Sequence, residues 1–169
     1  MDDARCQCPY RNGNRSVYRR LHSPGADRFA YEARSQFGGQ PILMEKVARN
    51  VLKHRRRCRA LVLVADQSPG QRDNIYWTQW LNQPTAFFTG PATIAQLTKF
   101  PVMFARCRRE SRGHYHLQLM PITETPEQAT PEEIIEAYAR VAEESIQAEP
   151  ESFLWSNRRW KHQPPDDFA

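Results

Sequence analysis

ALVLVAD, residues 60–66, decides how the rest of the chain is read. It is a continuous apolar run, rich in β-branched valine and bounded on both sides by polar sequence. That is how a strand buried on both faces of a parallel sheet reads. A helical pattern precedes it, so the local unit is βαβ-like and the class is α/β. The run delivers Asp66 and Gln67 at its carboxyl end, ahead of the turn-rich SPGQRDN. Ligands of open α/β sheets bind at the carboxyl ends of strands. Asp66 is therefore a functional candidate, against the plainer reading of a capping or salt-bridged carboxylate.

Working outward toward the N-terminus, the helical pattern covers about 45–58, with Val47, Ala48, Val51 and Leu52 on one face. It ends in KHRRRCR (53–59). Such a run contacts an anionic surface or is simply the solvated, cation-rich last turn that the helix macrodipole favours. PILM (41–44) has the look of a short strand. From Asp27 a second helical pattern carries Phe29, Ala33 and Phe37 at intervals of four, and Gly38-Gly39 stop it. Residues 1–16 show neither period and read as a disordered or foreign-looking start.

Toward the C-terminus, IYWTQWLNQPTAFFTG (75–90) is dense in aromatics without a regular period, which predicts a structured loop lining something apolar. GPATIAQLTKF begins a helix with Pro91 near its first position. PVMFARC (101–107) is an apolar strand. HYHLQLMPI (114–122) alternates, with Tyr115, Leu117 and Leu119 on one face of a half-exposed strand. His114 and His116 share the other face, but no third ligand accompanies them and no metal site is predicted. TPEEIIEAYARVAEESI (130–146) is the clearest helix. Thr130 is its N-cap, Pro131 its first residue and Glu133 its capping-box partner, and Ile134, Ile135, Tyr138, Ala142 and Ile146 form its apolar stripe.

The 169 residues suit one ordinary domain, and the apolar (40%) and charged (25%) fractions are those of a globular protein. The formal charge of +5 favours acidic partners such as nucleic acid, anionic lipid or an acidic carrier protein. No nucleic-acid-binding motif accompanies it, so that partner is not expected. No apolar run approaches the roughly 20 residues of a spanning helix. Cys6, Cys8, Cys58 and Cys107 are scattered, which favours free thiols over metal ligands or disulfides.

Three stretches, read in order, resemble one family. YRRLHSPGADRFAYEARSQFGG (18–39) is similar to a YRP-x-x-NP-x-x-D block and its following helix. VLVADQSP (62–69) is similar to a strand ending in D-Q or D-H. FLWSNRRWKHQPP (153–165) is similar to a W-x-H-RR-(W/F)-K ending with prolines. Residues 84–122 follow the same family's order of helix, strand and Gly-x-Tyr strand. The family is that of the bacterial lipid A biosynthesis acyltransferases, of lauroyl- and myristoyl-transferase type. The likeness covers about residues 17–165, leaving 166–169 as a tail.

The resemblance implies an acyltransferase-type αβα layered fold with a mostly parallel sheet, met part-way, so that its N-terminal elements are expected to be lacking. It implies transfer of a fatty acyl chain from an acyl carrier protein or coenzyme A thioester to a hydroxyl of a lipid A precursor, on the cytoplasmic side of the inner membrane. The thioester is a substrate, so no cofactor is implied, and the protein would be peripheral, serving lipopolysaccharide synthesis. Such chemistry needs a general base of near-neutral pKa, donors for the thioester oxyanion, and cations for the sugar phosphates. Substrate-binding roles carry over to Arg34, Asp66, Gln67, Arg158 and Arg159. Position 157 is Asn where the family usually has His.

The family's base lies in an H-x4-D/E motif ahead of the Tyr-Arg pair. Here Tyr18-Arg19 come first, which points to a truncated member lacking that motif. His22 and Asp27 have its spacing but fall on the N-P-x-x-D block, where Asp27 is expected to be the helix N-cap and His22 an exposed turn residue. The alternative to an acyltransferase is thus a non-catalytic remnant that binds lipid or carrier.

Overall fold

The structure is a computed structural model and describes residues 15–54, 59–70 and 73–168. The N-terminal segment through residue 14 and the 55–58 part of the basic run lie outside the described residues. The chain divides into two compact units, residues 1–64 and 65–169.

The first unit holds three parallel strands, β1 (Arg15–Tyr18), β2 (Ile42–Leu43) and β3 (Leu61–Val62), in the order β2-β1-β3. Helix α1 (Pro24–Ser35) joins β1 to β2, and α2 (Val47–Lys53) joins β2 to β3. Parallel neighbours require such crossovers, so the βαβ reading holds. The central strand starts at Arg15, two residues before the expected boundary. The 60–66 run contributes less strand than expected, because only Arg15 and Ser16 of β1 pair with it. Nor is it buried on both faces: Val62 is 44% exposed and Val64 61%.

The caps of α1 differ from the sequence reading. Ser23 is the N-cap, Pro24 opens the helix, and Asp27 sits inside the first turn. Its Oδ1 accepts from the Leu21 N–H at 2.9 Å, tying down the turn that precedes the helix. No residue of α1 is buried, and Phe29 and Ala33 of the expected apolar stripe are exposed. The glycine stop is present, with Gly38 at φ +82°. Helix α2 is shorter than predicted and buries Val47 and Val51, while Ala48 and Leu52 are exposed. Arg59 donates to the Asn50 side-chain oxygen (2.8 Å) and to the Asn50 and Val51 carbonyls, which also accept from the His54 N–H at the helix end.

The second unit begins with a correction. The aromatic stretch is a β-hairpin of β4 (Ile75–Trp80) and β5 (Gln83–Phe88). Leu81 and Asn82 turn it, both at positive φ (52° and 59°), as a two-residue primed turn demands. Leucine is rare in that conformation and Pro84 lies in the strand, so the usual hairpin signals were absent. Helix α3 (Gly90–Thr98) follows, then a long hairpin of β6 (Val102–Ser111) and β7 (His114–Thr123), turned at Gly113. Helix α4 (Pro131–Ala148) has the complete capping box: Thr130 Oγ1 accepts from Glu133 N (3.2 Å) and Glu133 Oε2 from Thr130 N (2.7 Å).

Trp80 and Phe87 of the first hairpin pack with Ala92 of α3 and with Ile135, Ala139 and Ala142 of α4 to form the core. The alternation of β7 is real, but its apolar face is not covered: Tyr115, Leu117 and Leu119 are each at least 60% exposed, and His114, His116 and Gln118 on the other face are exposed as well. The α/β class therefore stands. The parallel ladder is confined to residues 15–62, and the strands of the second unit pair antiparallel in two hairpins rather than extending one mostly parallel sheet.

Candidate functional site

Arg159 is the most unusual side chain of the second unit. It is 2% exposed, and its guanidinium carbon lies 4.6 Å from the Phe87 ring centre and 5.4 Å from that of Trp80. The packing of the C-terminal segment places it there. Trp80 is fixed by donation from its indole N–H to the Ala139 carbonyl (3.0 Å). Phe153 and Trp160 close on Trp80 at 5.9 and 6.2 Å between ring centres. The Trp160 indole N–H donates to Thr85 Oγ1 (2.9 Å), and His162 Nε2 meets the Pro69 carbonyl at 2.8 Å. Arg159, between these anchors, has only the aromatic slot to occupy.

Cation–π attraction offsets part of the cost of burying the charge. Two of its nitrogens, Nε and Nη2, are enclosed with no hydrogen-bond partner. Burial accordingly pushes the guanidinium pKa down to about 10, against the opposing pull of Tyr138 and Asp66. It remains a cation at neutral pH. Tyr138 on α4 contacts Phe87 (6.1 Å) and Phe104 (5.8 Å). Its phenol pKa is raised, chiefly by burial and then by the Asp66 charge, with Arg159 opposing. Asp66, Tyr138 and Arg159 thus form one electrostatic group. Asp66 and Tyr138 also line a cleft of about 300 Å3, walled by Trp80, Phe104 and Phe153, with Glu149 on its rim.

The other sequence candidates are distributed differently. Gln67 and Arg158 are exposed. Arg34 belongs to the first unit, where Nη1 donates to the Ala30 carbonyl (3.1 Å) and the guanidinium carbon lies 5.6 Å from the Tyr18 ring centre. His22 is exposed, and no hydrogen bond or ion pair joins it to Asp27, whose carboxylate serves Leu21. His114 meets Ser111 Oγ (3.1 Å) and His116 meets Glu110 (3.9 Å). Among the described residues no three His, Cys, Asp or Glu side chains gather to hold a metal. Tyr138, Trp80 and Phe87 were missed as site residues. The aromatic density of 75–90 was the available signal, and it did mark an apolar lining.

Residues 8–162 match the family described as bacterial lipid A biosynthesis acyltransferase, a span that takes in both units and every one of these side chains. The chain belongs to that family. Acyl transfer in lipid A biosynthesis is the activity of this acyltransferase family, which uses acyl carrier protein thioesters and acts on lipid A precursors. No curated protein matches the chain by sequence. The match begins nine residues before the resemblance at residue 17 and ends three before residue 165. In this member of the family, no helix among the described residues is long and apolar enough to cross a membrane.

Proposed function

We propose that the chain binds the substrates of a fatty acyl transfer from an acyl carrier protein or coenzyme A thioester to a hydroxyl of a lipid A precursor, peripherally on the cytoplasmic side of the inner membrane. The observation that carries this reading is the buried Arg159 cation, stacked between Trp80 and Phe87 with two unpaired nitrogens. Keeping such a charge unpaired costs stability, and an anionic or strongly accepting ligand group offsets that cost. Asp66 and Tyr138 add an acceptor and a donor beside an apolar cleft, which suits a ligand with a polar end and a hydrocarbon part.

The separation of His22 from Asp27 favours a second reading, in which this polypeptide binds lipid or carrier without carrying out the chemistry. A general base needs its orienting partner within hydrogen-bond reach, and this pair has none. One experiment decides between them. The chain is incubated with acyl carrier thioester and lipid A precursor while turnover and equilibrium binding are both followed. Turnover that Arg159→Met abolishes and His22→Ala leaves unchanged supports transfer through the Arg159 site. Binding that Arg159→Met weakens, without turnover, supports the binding module. Unaltered binding in Arg159→Met overturns both.

A further inference from the structure

The first unit contains a cleft of about 570 Å3 whose lining includes Arg15, Tyr18, Tyr31, Ser35, Lys46 and Asn50, and no carboxylate. Such a volume lies in the range of small-molecule sites. Two cations face it from different elements: Arg15 from β1, and Lys46 from the turn before α2. Arg15 is anchored by its backbone, whose N–H donates to the Ala60 carbonyl (3.1 Å), while its side-chain Nε is enclosed without a hydrogen-bond partner. The Asn50 side-chain oxygen accepts from Arg59 Nη1 (2.8 Å), which leaves the Asn50 N–H2 group as a further donor. Tyr18 and Tyr31, with ring centres 6.3 Å apart, form one wall, and Arg34 lies over the Tyr18 ring.

We propose that this cleft is an anion site that holds a phosphate monoester between Arg15 and Lys46. Near neutral pH a phosphate monoester approaches two negative charges, which two cations match in the absence of a lining carboxylate. The arginine fork suits two phosphate oxygens, and the lysine supplies a point charge beside it. Sequence reading assigned neither residue a role, because Arg15 fell in the unplaced start and Lys46 in an ordinary helical pattern. The anion site stands on this geometry alone. Only the identity of the phosphate's bearer rests on the acyl-transfer reading: the glycolipid acceptor, or the 3′-phosphate of a coenzyme A donor.

Titration of the full chain with inorganic phosphate, followed by calorimetry at low ionic strength, tests the site without requiring turnover. Arg15→Gln is expected to weaken phosphate binding about tenfold or more, the scale of one charge-assisted hydrogen bond. Lys46→Gln, at an exposed position that leaves folding intact, is expected to weaken it severalfold, while Arg106→Gln in the second unit leaves it unchanged. Absence of phosphate binding, or equal binding in wild type and Lys46→Gln, overturns the proposal. Displacement of phosphate by a phosphorylated glucosamine disaccharide places the acceptor in the cleft, and displacement by coenzyme A, but not by its 3′-dephospho form, places the donor there. Phosphate that neither compound displaces overturns the link to acyl transfer.

Discussion

Replacing Arg159 with methionine should make the protein more stable while removing the site's cation. Its pKa is pushed down from the ordinary arginine value to about 10, which at about 1.4 kcal/mol for each pH unit puts the cost of burying the charge at about 3 kcal/mol. The two ring contacts return about 1–2 kcal/mol of this through cation–π attraction. Methionine keeps an unbranched stem of similar length in the slot and favourable sulfur–ring contacts, without enclosed N–H groups. The expected net gain is about 1–2 kcal/mol, in line with other replacements of buried charges by apolar groups. For a chain of this size that raises Tm by about 2–8 °C. Urea unfolding followed by tryptophan fluorescence suits the measurement, because Trp77, Trp80, Trp155 and Trp160 all lie in the second unit. A loss of more than about 1 kcal/mol in the methionine variant would show that the guanidinium is a structural keystone, and would refute the argument that it is held at a cost for a ligand.

Thr130→Ala removes one half of the α4 capping box and should destabilise the second unit by about 1 kcal/mol, read as a lower urea midpoint at unchanged slope. Tyr18, Tyr76 and Tyr138 have raised pKa values, Tyr76 by burial and by its hydrogen bond to Glu136, so the folded chain holds protons that the unfolded chain releases above about pH 10. The stability they contribute is complete below that pH and is lost as pH rises through their folded values. Tyr18, Tyr76 and Tyr138 should therefore titrate late by ultraviolet absorbance, and Tyr138→Phe should fall in stability less steeply above pH 10 than the wild type. Leu117→Lys with Leu119→Lys, both on the exposed face of β7, should reduce light scattering of concentrated protein and change stability by no more than about 0.5 kcal/mol for each substitution.

What was legible in the sequence was what neighbours in the chain decide. Thr130-Pro131 and Glu133 specify the start of α4 through their own backbone and side-chain bonds, and its stripe of Ile134, Ile135, Ala142 and Ile146 is buried as its period predicts. What depended on distant partners was not legible. The 60–66 run has a buried strand's composition, yet only Leu61 and Val62 of it form strand, paired with Arg15 and Ser16 of β1. The 75–90 hairpin was hidden by Leu81 at a turn position that favours glycine or asparagine. Arg159 was visible as part of an Arg-Arg pair. Its separation from the exposed Arg158 came only from the tertiary contacts of Trp80, Phe87 and Trp160.

His22 and Asp27 show why spacing alone does not make a catalytic pair. A general base is oriented by a carboxylate that reaches its ring nitrogen, so the backbone between them must bring both side chains to one point. Here Ser23-Pro24 starts a helix between the two residues. His22 is left outside it, and Asp27 is turned back onto the Leu21 N–H that the chain would otherwise leave unpaired. Moving the Asp27 carboxylate to the imidazole would give up that hydrogen bond and loosen the start of α1. The same local chemistry that makes Asp27 a good anchor for the helix makes it a poor partner for the histidine. The chain's strongest claim to substrate recognition consequently rests on its arginines: Arg159 in its aromatic slot, and Arg15 at the cleft of the first unit.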